Sequence, residues 1–333
     1  MRIAIVKLSA LGDVVNSMIV LQFIKKYNQS ILIDWVVEEN FKELLECNPH
    51  INKVEVVNFK KAKKRKSILL FLNELKKIRK LGQYDLVIDM QGLIKSAIVS
   101  KIIPSKSTIG FDRLSSREGL SAFFYSKTLN YGYENNVVYR NISLIEFALG
   151  FSVDKKEIIS KTPFVFYSQK YLISNLSNTK KNVLIIPGAS NAAKRYPAEK
   201  FARLVKSLDA NFIIIWGNLK EKKIAENIKK ISPNVNICEK LSIDSLISLI
   251  DKVDLVIGPD TGPTHIAWGM NTPSIMLFGP TPAYRNTITT RINKVIESDS
   301  KVNPFKINYK DFSIRDINDS KVIEVSRNLL FNQ

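Results

Sequence analysis

Asp13 lies in the segment Ser9-Ala10-Leu11-Gly12-Asp13, after an apolar run at 2–8 and before an amphipathic stretch at 14–27. A carboxylate at such a strand–helix junction can take a proton from a hydroxyl as it becomes a nucleophile. The plainer reading is that it only caps the helix. In the second half, the loop from Pro187 to Pro197 joins a strand to a helix. It combines small residues, which let the backbone approach phosphates, with the Ser190 hydroxyl and the Lys194 charge; an exposed basic loop is the alternative. The loop from Gly258 to His265 offers Thr261 and Gly262 as donors at a helix N-terminus, which suits a diphosphate. Asp260 beside them can accept from sugar hydroxyls. His265, one of two histidines, follows Thr261 by four residues and is either a ligand contact or a satisfied structural group. Glu221, after Trp216-Gly217-Asn218, can accept from ribose hydroxyls or balance a helix N-terminus. Gly279-Pro280-Thr281-Pro282 is a turn at minimum.

The first half carries positive charge instead. Lys60, Lys61, Lys63, Lys64 and Arg65 belong to a run of six cations in seven residues, with Arg117 and Arg140 further on. Such a run is either a solvated face or a seat for a polyanion. Fifty Lys and Arg against 31 Asp and Glu give a formal charge of +19, which implies an anionic partner or a neutral compositional drift. Nucleic acid is disfavoured, because the basic residues lack interleaved aromatics and a recognition-helix pattern. Phosphates of an acidic bilayer fit better. There is no GxGxxG fingerprint, no Walker A loop and no DxD pair, so no nicotinamide, flavin or tightly bound metal is expected.

These positions make sense only if a particular scaffold presents them. Short β-branched runs at 2–8, 32–37, 53–57, 84–90 and 108–111 alternate with longer amphipathic stretches. The pattern repeats with runs at 182–187, 211–216, 235–238, 254–258 and 274–278. This is the signature of parallel sheets covered by crossover helices, and 333 residues are enough for two such domains. Helices are expected at 14–27, 68–81, 198–208, 220–231, 242–250 and 318–331. The implied organisation is an α/β domain at 1–160, a connection at 161–181 and a second α/β domain at 182–316. A final helix at 317–333 is expected to return to the first domain. Cys47 and Cys238 read as buried small hydrophobes in a reducing compartment. The apolar start lacks a cleavage site, and no stretch approaches the roughly 20 apolar residues a membrane span needs. A cytoplasmic protein is expected.

Several segments together carry a resemblance: IVKLSALGDVV, DWVVEE, DMQGLIKSA, SSREGLSAFFY, PGASNAAKRYPAEKF, WGNLKEKKIAE and GPDTGPTHIAWGMNTPSIMLFGPT. The chain resembles the ADP-heptose:lipopolysaccharide heptosyltransferases, glycosyltransferase family 9, over nearly its whole length. The resemblance implies a GT-B fold of two facing Rossmann-like domains. It further implies an inverting transfer of L-glycero-D-manno-heptose from its ADP donor to a Kdo sugar of lipid A, with no cofactor, at the acidic cytoplasmic face of the inner membrane. Carried over by position, Asp13 matches the general base. Ser190, Lys194, Thr261 and Gly262 match diphosphate contacts, Glu221 a ribose contact, and Asp260 and His265 sugar-side contacts. Lys60, Lys61, Lys63, Lys64, Arg65, Arg117 and Arg140 match positions linked to the phosphorylated acceptor. Ala189-Ser190 stand where type I members carry paired threonines, and this loop reads closer to type II, whereas the amino-terminal half reads as type I.

Overall fold

The computed structural model describes residues 1–168 and 175–331. The chain divides into two units, Met1–Phe164 and Val165–Gln333, a division that falls within the 161–181 stretch; residues 169–174 of that stretch lie outside the described residues.

The first unit is built on a parallel sheet of β1 (Arg2–Val6), β2 (Leu32–Glu38), β3 (Lys53–Val57), β4 (Leu86–Asp89), β5 (Thr108–Phe111) and β6 (Lys127–Leu129), in the spatial order β3-β2-β1-β4-β5-β6. The central strand is apolar on both faces, Ile3 to Val6 being wholly buried, as a sheet covered by helices on each side requires. One face packs Ala4, Val6, Val36 and Val87 against Phe59, Ile78, Val99 and Ile103. Strand order reverses between β1 and β4, so a crevice is expected at their carboxyl ends.

The second unit repeats the plan with β7 (Asn182–Ile185), β8 (Asn211–Ile214), β9 (Asn236–Ile237), β10 (Leu255–Pro259), β11 (Ser274–Phe278) and β12 (Asn293–Glu297), in the order β12-β11-β10-β7-β8-β9. Its reversal lies between β7 and β10.

Four expectations need correction. The stretch 14–27 is two helices, Leu11–Met18 and Val20–Tyr27, and the first begins three residues early because extended Ala10 is its cap. Asp13 is therefore not the cap residue but the third residue of the helix. The final helix, Asp319–Phe331, does not return to the first unit. Its Val322, Leu329 and Leu330 join the core formed by Phe201, Leu204 and Val205, and Asp319 pairs with Arg203 at 2.5 Å. Cys238 is buried, but Cys47 is only partly so. Strands β6 and β12 were not anticipated, the first because it is three residues long and the second because NKVIE opens on two polar residues.

Candidate functional site

In the second unit the loops after β7, β10 and β11 converge on Asp260. The residue ends up buried because it follows β10 directly, where the chain turns into the helix Gly262–Met270. Asp260 Oδ2 accepts from Lys194 Nζ at 2.8 Å, from Thr281 Oγ1 at 2.9 Å and from Asn286 Nδ2 at 3.2 Å, while His265 Nε2 lies 2.9 Å from Oδ1. Burial alone would push this carboxyl up. The charge of Lys194, with His265 close by, outweighs burial and holds it well below the usual carboxylate range. An ionised carboxylate only accepts, so His265 Nε2 carries the hydrogen; the buried Nδ1 has no hydrogen-bond partner.

The structure thus brings Lys194, Asp260 and His265 together but gives Asp260 a different place from the expected one. Both its oxygens are taken by protein donors, so it orients Lys194 and His265 rather than standing open to a sugar. Lys194 itself sits at the end of a short 3-10 turn, Ala192–Lys194, capped by Asn191, whose side chain accepts from Ala193 N. Arg195 braces the same loop through two bonds to Ala189 O. Thr261 is the cap of the helix Gly262–Met270, and Thr264 Oγ1 accepts from Thr261 N at 3.2 Å. The Gly262 N–H lies in the first turn, where the helical ladder leaves donors open and the helix dipole favours an anion. Ser190 is exposed on the loop after β7.

Glu221 joins a neighbouring group. Its Oε2 accepts from Gly217 N at 2.8 Å, and Asn218 caps its helix by accepting from Lys220 N and Glu221 N. Gly188 lies directly against the Glu221 carboxyl, so a Cβ at 188 would displace it. The glycine is needed for this close approach, which sets the loops after β7 and β8 side by side.

In the first unit Gln91 bridges the carboxyl ends of β1 and β4. Its Oε1 accepts from Leu8 N at 3.1 Å and Ser9 N at 3.2 Å, and Lys7 Nζ reaches Met90 O at 2.9 Å. Gly92, in the same turn, has φ +67, a conformation that favours glycine. Beneath it, buried Asp89 accepts from Gln91 N, Gly92 N and Tyr125 Oη; burial pushes its carboxyl up, and these bonds offset only part of that. Asp13 is exposed, and its Oδ2 accepts from Ala10 N at 3.1 Å. Gln91 was not singled out in the sequence; its signal was the DMQG segment after a strand. Thr281 was noted only as part of a turn, and Asn286 left no local signal.

The expected acceptor cations split into two kinds. Lys60, Lys61, Lys63 and Lys64 lie on the helix Phe59–Lys64 and are exposed, as are Arg65 and Arg117. Glu38, at the end of β2, anchors this corner by accepting from Lys60 N and pairing with Lys95 at 2.8 Å. Arg140 is buried: it donates to Tyr131 O, to Gly132 O at 2.6 Å and to Ser115 O at 2.7 Å, and stacks over Phe111 at 4.1 Å. It ties two loops together rather than presenting charge. Among the described residues, no group of three or more His, Cys, Asp or Glu could hold a metal ion.

Residues 74–308 match the family model for glycosyltransferase family 9 (heptosyltransferase). The chain is 38% identical to lipopolysaccharide heptosyltransferase 1 of Campylobacter coli, over 99% of each. It is 30% identical to the lipopolysaccharide core heptosyltransferase OpsX of Haemophilus influenzae, over 86% of this chain and 80% of that one. Among solved structures, E. coli heptosyltransferase WaaC with ADP superposes with a TM-score of 0.81 at 22% identity, covering 99% of this chain and 100% of that one. A family 9 glycosyltransferase from Veillonella parvula gives 0.83 at 21% identity, covering 100% and 98%. The fold is that of these proteins, GT-B, with two Rossmann-like α/β units.

Proposed function

We propose, from the premise that this chain belongs to glycosyltransferase family 9, that it is a lipopolysaccharide heptosyltransferase moving L-glycero-D-manno-heptose from ADP-heptose to a Kdo sugar of lipid A, with inversion. The observation that carries the reading is the Lys194–Asp260–His265 constellation beside the helix N-terminus at Thr261–Gly262, at the strand-order reversal of the second sheet. A cation and an open helix end at such a point form an anion seat that favours a diphosphate.

In this mechanism Asp260 keeps Lys194 oriented, and Lys194 with the Gly262 N–H stabilises the charge that grows on departing ADP. Ser190 adds a hydroxyl donor and Glu221 takes the ribose hydroxyls. His265 Nδ1 is the polar atom left for the donor sugar. Asp13 receives the proton of the acceptor hydroxyl while that oxygen attacks the anomeric carbon from the side opposite the diphosphate. The exposed Lys60, Lys61, Lys63, Lys64, Arg65 and Arg117 bind acceptor phosphates, and Arg140 contributes by fixing the loops around Ser115 and Tyr131. No cofactor or metal enters. The enzyme works at the cytoplasmic face of the inner membrane, associated peripherally; no helix among the described residues is long and apolar enough to cross one.

The test supplies purified protein with ADP-heptose and either Kdo-bearing lipid A or the same acceptor already carrying one heptose. Transfer to the first, giving the inverted anomer, is expected. Transfer to the second alone identifies instead an enzyme adding a later heptose, the reading that the type II-like wording of the Ala189-Ser190 loop favours. No transfer to either refutes the assignment.

A further inference from the structure

We infer that the carboxyl edge of the first unit carries a docking surface for an anionic lipid bilayer, in which Ile68, Leu69 and Leu72 insert below the phosphates that the neighbouring cations bind. This rests on the reading that the acceptor is held in a membrane, and it assigns a task to side chains the transfer reaction does not use.

The helix Ile68–Arg79 turns Phe71, Leu75 and Ile78 into the core of the first unit. On its outer side Ile68 is 71% exposed and Leu69 65%, with Leu72 exposed beside them. A helical face that meets water is normally polar. Here the aliphatics occupy the first turns, and Lys76, Arg79 and Lys80 continue the exposed surface toward the other end. The short helix Phe59–Lys64 packs against this one and brings Lys60, Lys61, Lys63 and Lys64, with Arg65 and Lys66 following.

A second apolar group reinforces the first. The excursion after β5 exposes Leu114 at 79% and Phe123 at 75%, together with Leu120, Arg113 and Arg117. It packs on the helix Ile94–Ile102, which packs in turn on Ile68–Arg79. Glu118 Oε2 accepts from Ile94 N at 2.8 Å and fixes the excursion to that helix's start. Helices that follow parallel strands begin at the carboxyl ends of those strands, so both apolar groups share one edge of the sheet with the loop bearing Asp13. The acidic residues nearby are engaged and outnumbered: Glu74 accepts from Asn58 N, the exposed Glu39 from Asn58 Nδ2 and the exposed Glu118 from Ile94 N, while the many lysines and arginines around them keep the outward charge positive.

Exposed aliphatics within a cationic rim match the cross-section of a bilayer surface, apolar below and phosphate above. Each Lys or Arg near an anionic leaflet adds roughly fivefold to binding. A second copy fits worse, because a two-fold contact through this face would set the cations of the 60–66 run against their own duplicates.

The test is co-sedimentation of the full chain with vesicles rich in phosphatidylglycerol and with vesicles of phosphatidylcholine alone, comparing wild type with the triple variant Ile68→Ser, Leu69→Ser, Leu72→Ser. Wild type should pellet with the anionic vesicles. The variant should lose roughly tenfold or more of that partitioning while keeping its rate on a de-acylated, water-soluble acceptor. Unchanged partitioning overturns the inference, as does a lower sedimentation coefficient for the variant, which would give the face to a second copy. A melting temperature equal to wild type excludes unfolding, and Leu114→Ser with Phe123→Ser repeats the test on the second group. Inactivity of wild type on the soluble acceptor would count against the acceptor assignment and leave the vesicle result to stand on its own.

Discussion

Replacing Asp260 by Asn removes one charge from a buried side chain that meets four partners and changes little else. Asp260 is 6% exposed and its oxygens meet Lys194, Thr281, His265 and Asn286. Removing one partner of a buried ion pair typically costs about 3–5 kcal/mol. The Lys194 side chain keeps 16% exposure, so water can solvate part of the orphaned ammonium. The asparagine also retains one acceptor oxygen, and the expected loss is therefore about 3 kcal/mol, the lower end of that range. For a unit of this size that lowers its melting temperature by roughly 6–12 °C. The pH dependence gives an independent check. The folded-state carboxyl is held far below its unfolded value of about 3.9. Its stabilisation is therefore fully present above that value and lost as pH falls toward the folded one. Circular-dichroism melts at pH 8, 7 and 5 should show a constant gap between wild type and variant, narrowing below about pH 4. A variant that melts with wild type at pH 7, or a gap that widens on acidification, would refute the claim that Asp260 is an ionised hub.

Other perturbations separate the remaining roles. Asp13→Asn should lower turnover by about 10²–10⁴-fold with ADP affinity unchanged by calorimetry; full activity would remove Asp13 as the base. Lys194→Met should lower kcat/KM for the donor by about 10–150-fold, the worth of one charge-assisted hydrogen bond, and a loss confined to acceptor KM would contradict its assignment. Gln91→Leu leaves the Leu8 and Ser9 N–H groups without their acceptor, so turnover should fall while the ADP dissociation constant holds. Arg140→Met takes the donor from Tyr131 O and Ser115 O, while Gly132 O keeps its bonds from Asn135; it should destabilise the first unit by about 3 kcal/mol and make 113–133 the preferred site of limited proteolysis.

The sheets were readable because parallel strands covered on both faces must be apolar along their whole length. Thr108–Phe111 and Ser274–Phe278 agree with the sequence reading to the residue, as does the edge strand Lys53–Val57, read from its valines despite Lys53 and Glu55. Lys127–Leu129 escaped because a three-residue strand has no room for a period. Loop chemistry was legible to the level of which loops matter: Lys194, Asp260 and His265 do meet. It was not legible to the level of who faces whom. Nothing in GPDTGPTH says that Asp260 turns inward, since that depends on Thr281 and Asn286, contributed by a later loop. Arg140 looked like one more cation in a basic half, and only the fold reveals three carbonyl oxygens waiting for it. The last helix was misplaced for a related reason: its apolar residues fit any groove, and the choice was made by Phe201, Leu204 and Val205.

That choice bears on how the chain is made. Because Asp319–Phe331 completes the unit that begins at Val165, the polypeptide passes from one unit to the other once. The first unit thus emerges from the ribosome with every one of its strands present and can begin to fold while the remainder is still being synthesised. A tail that crossed back would have kept it waiting until translation ended.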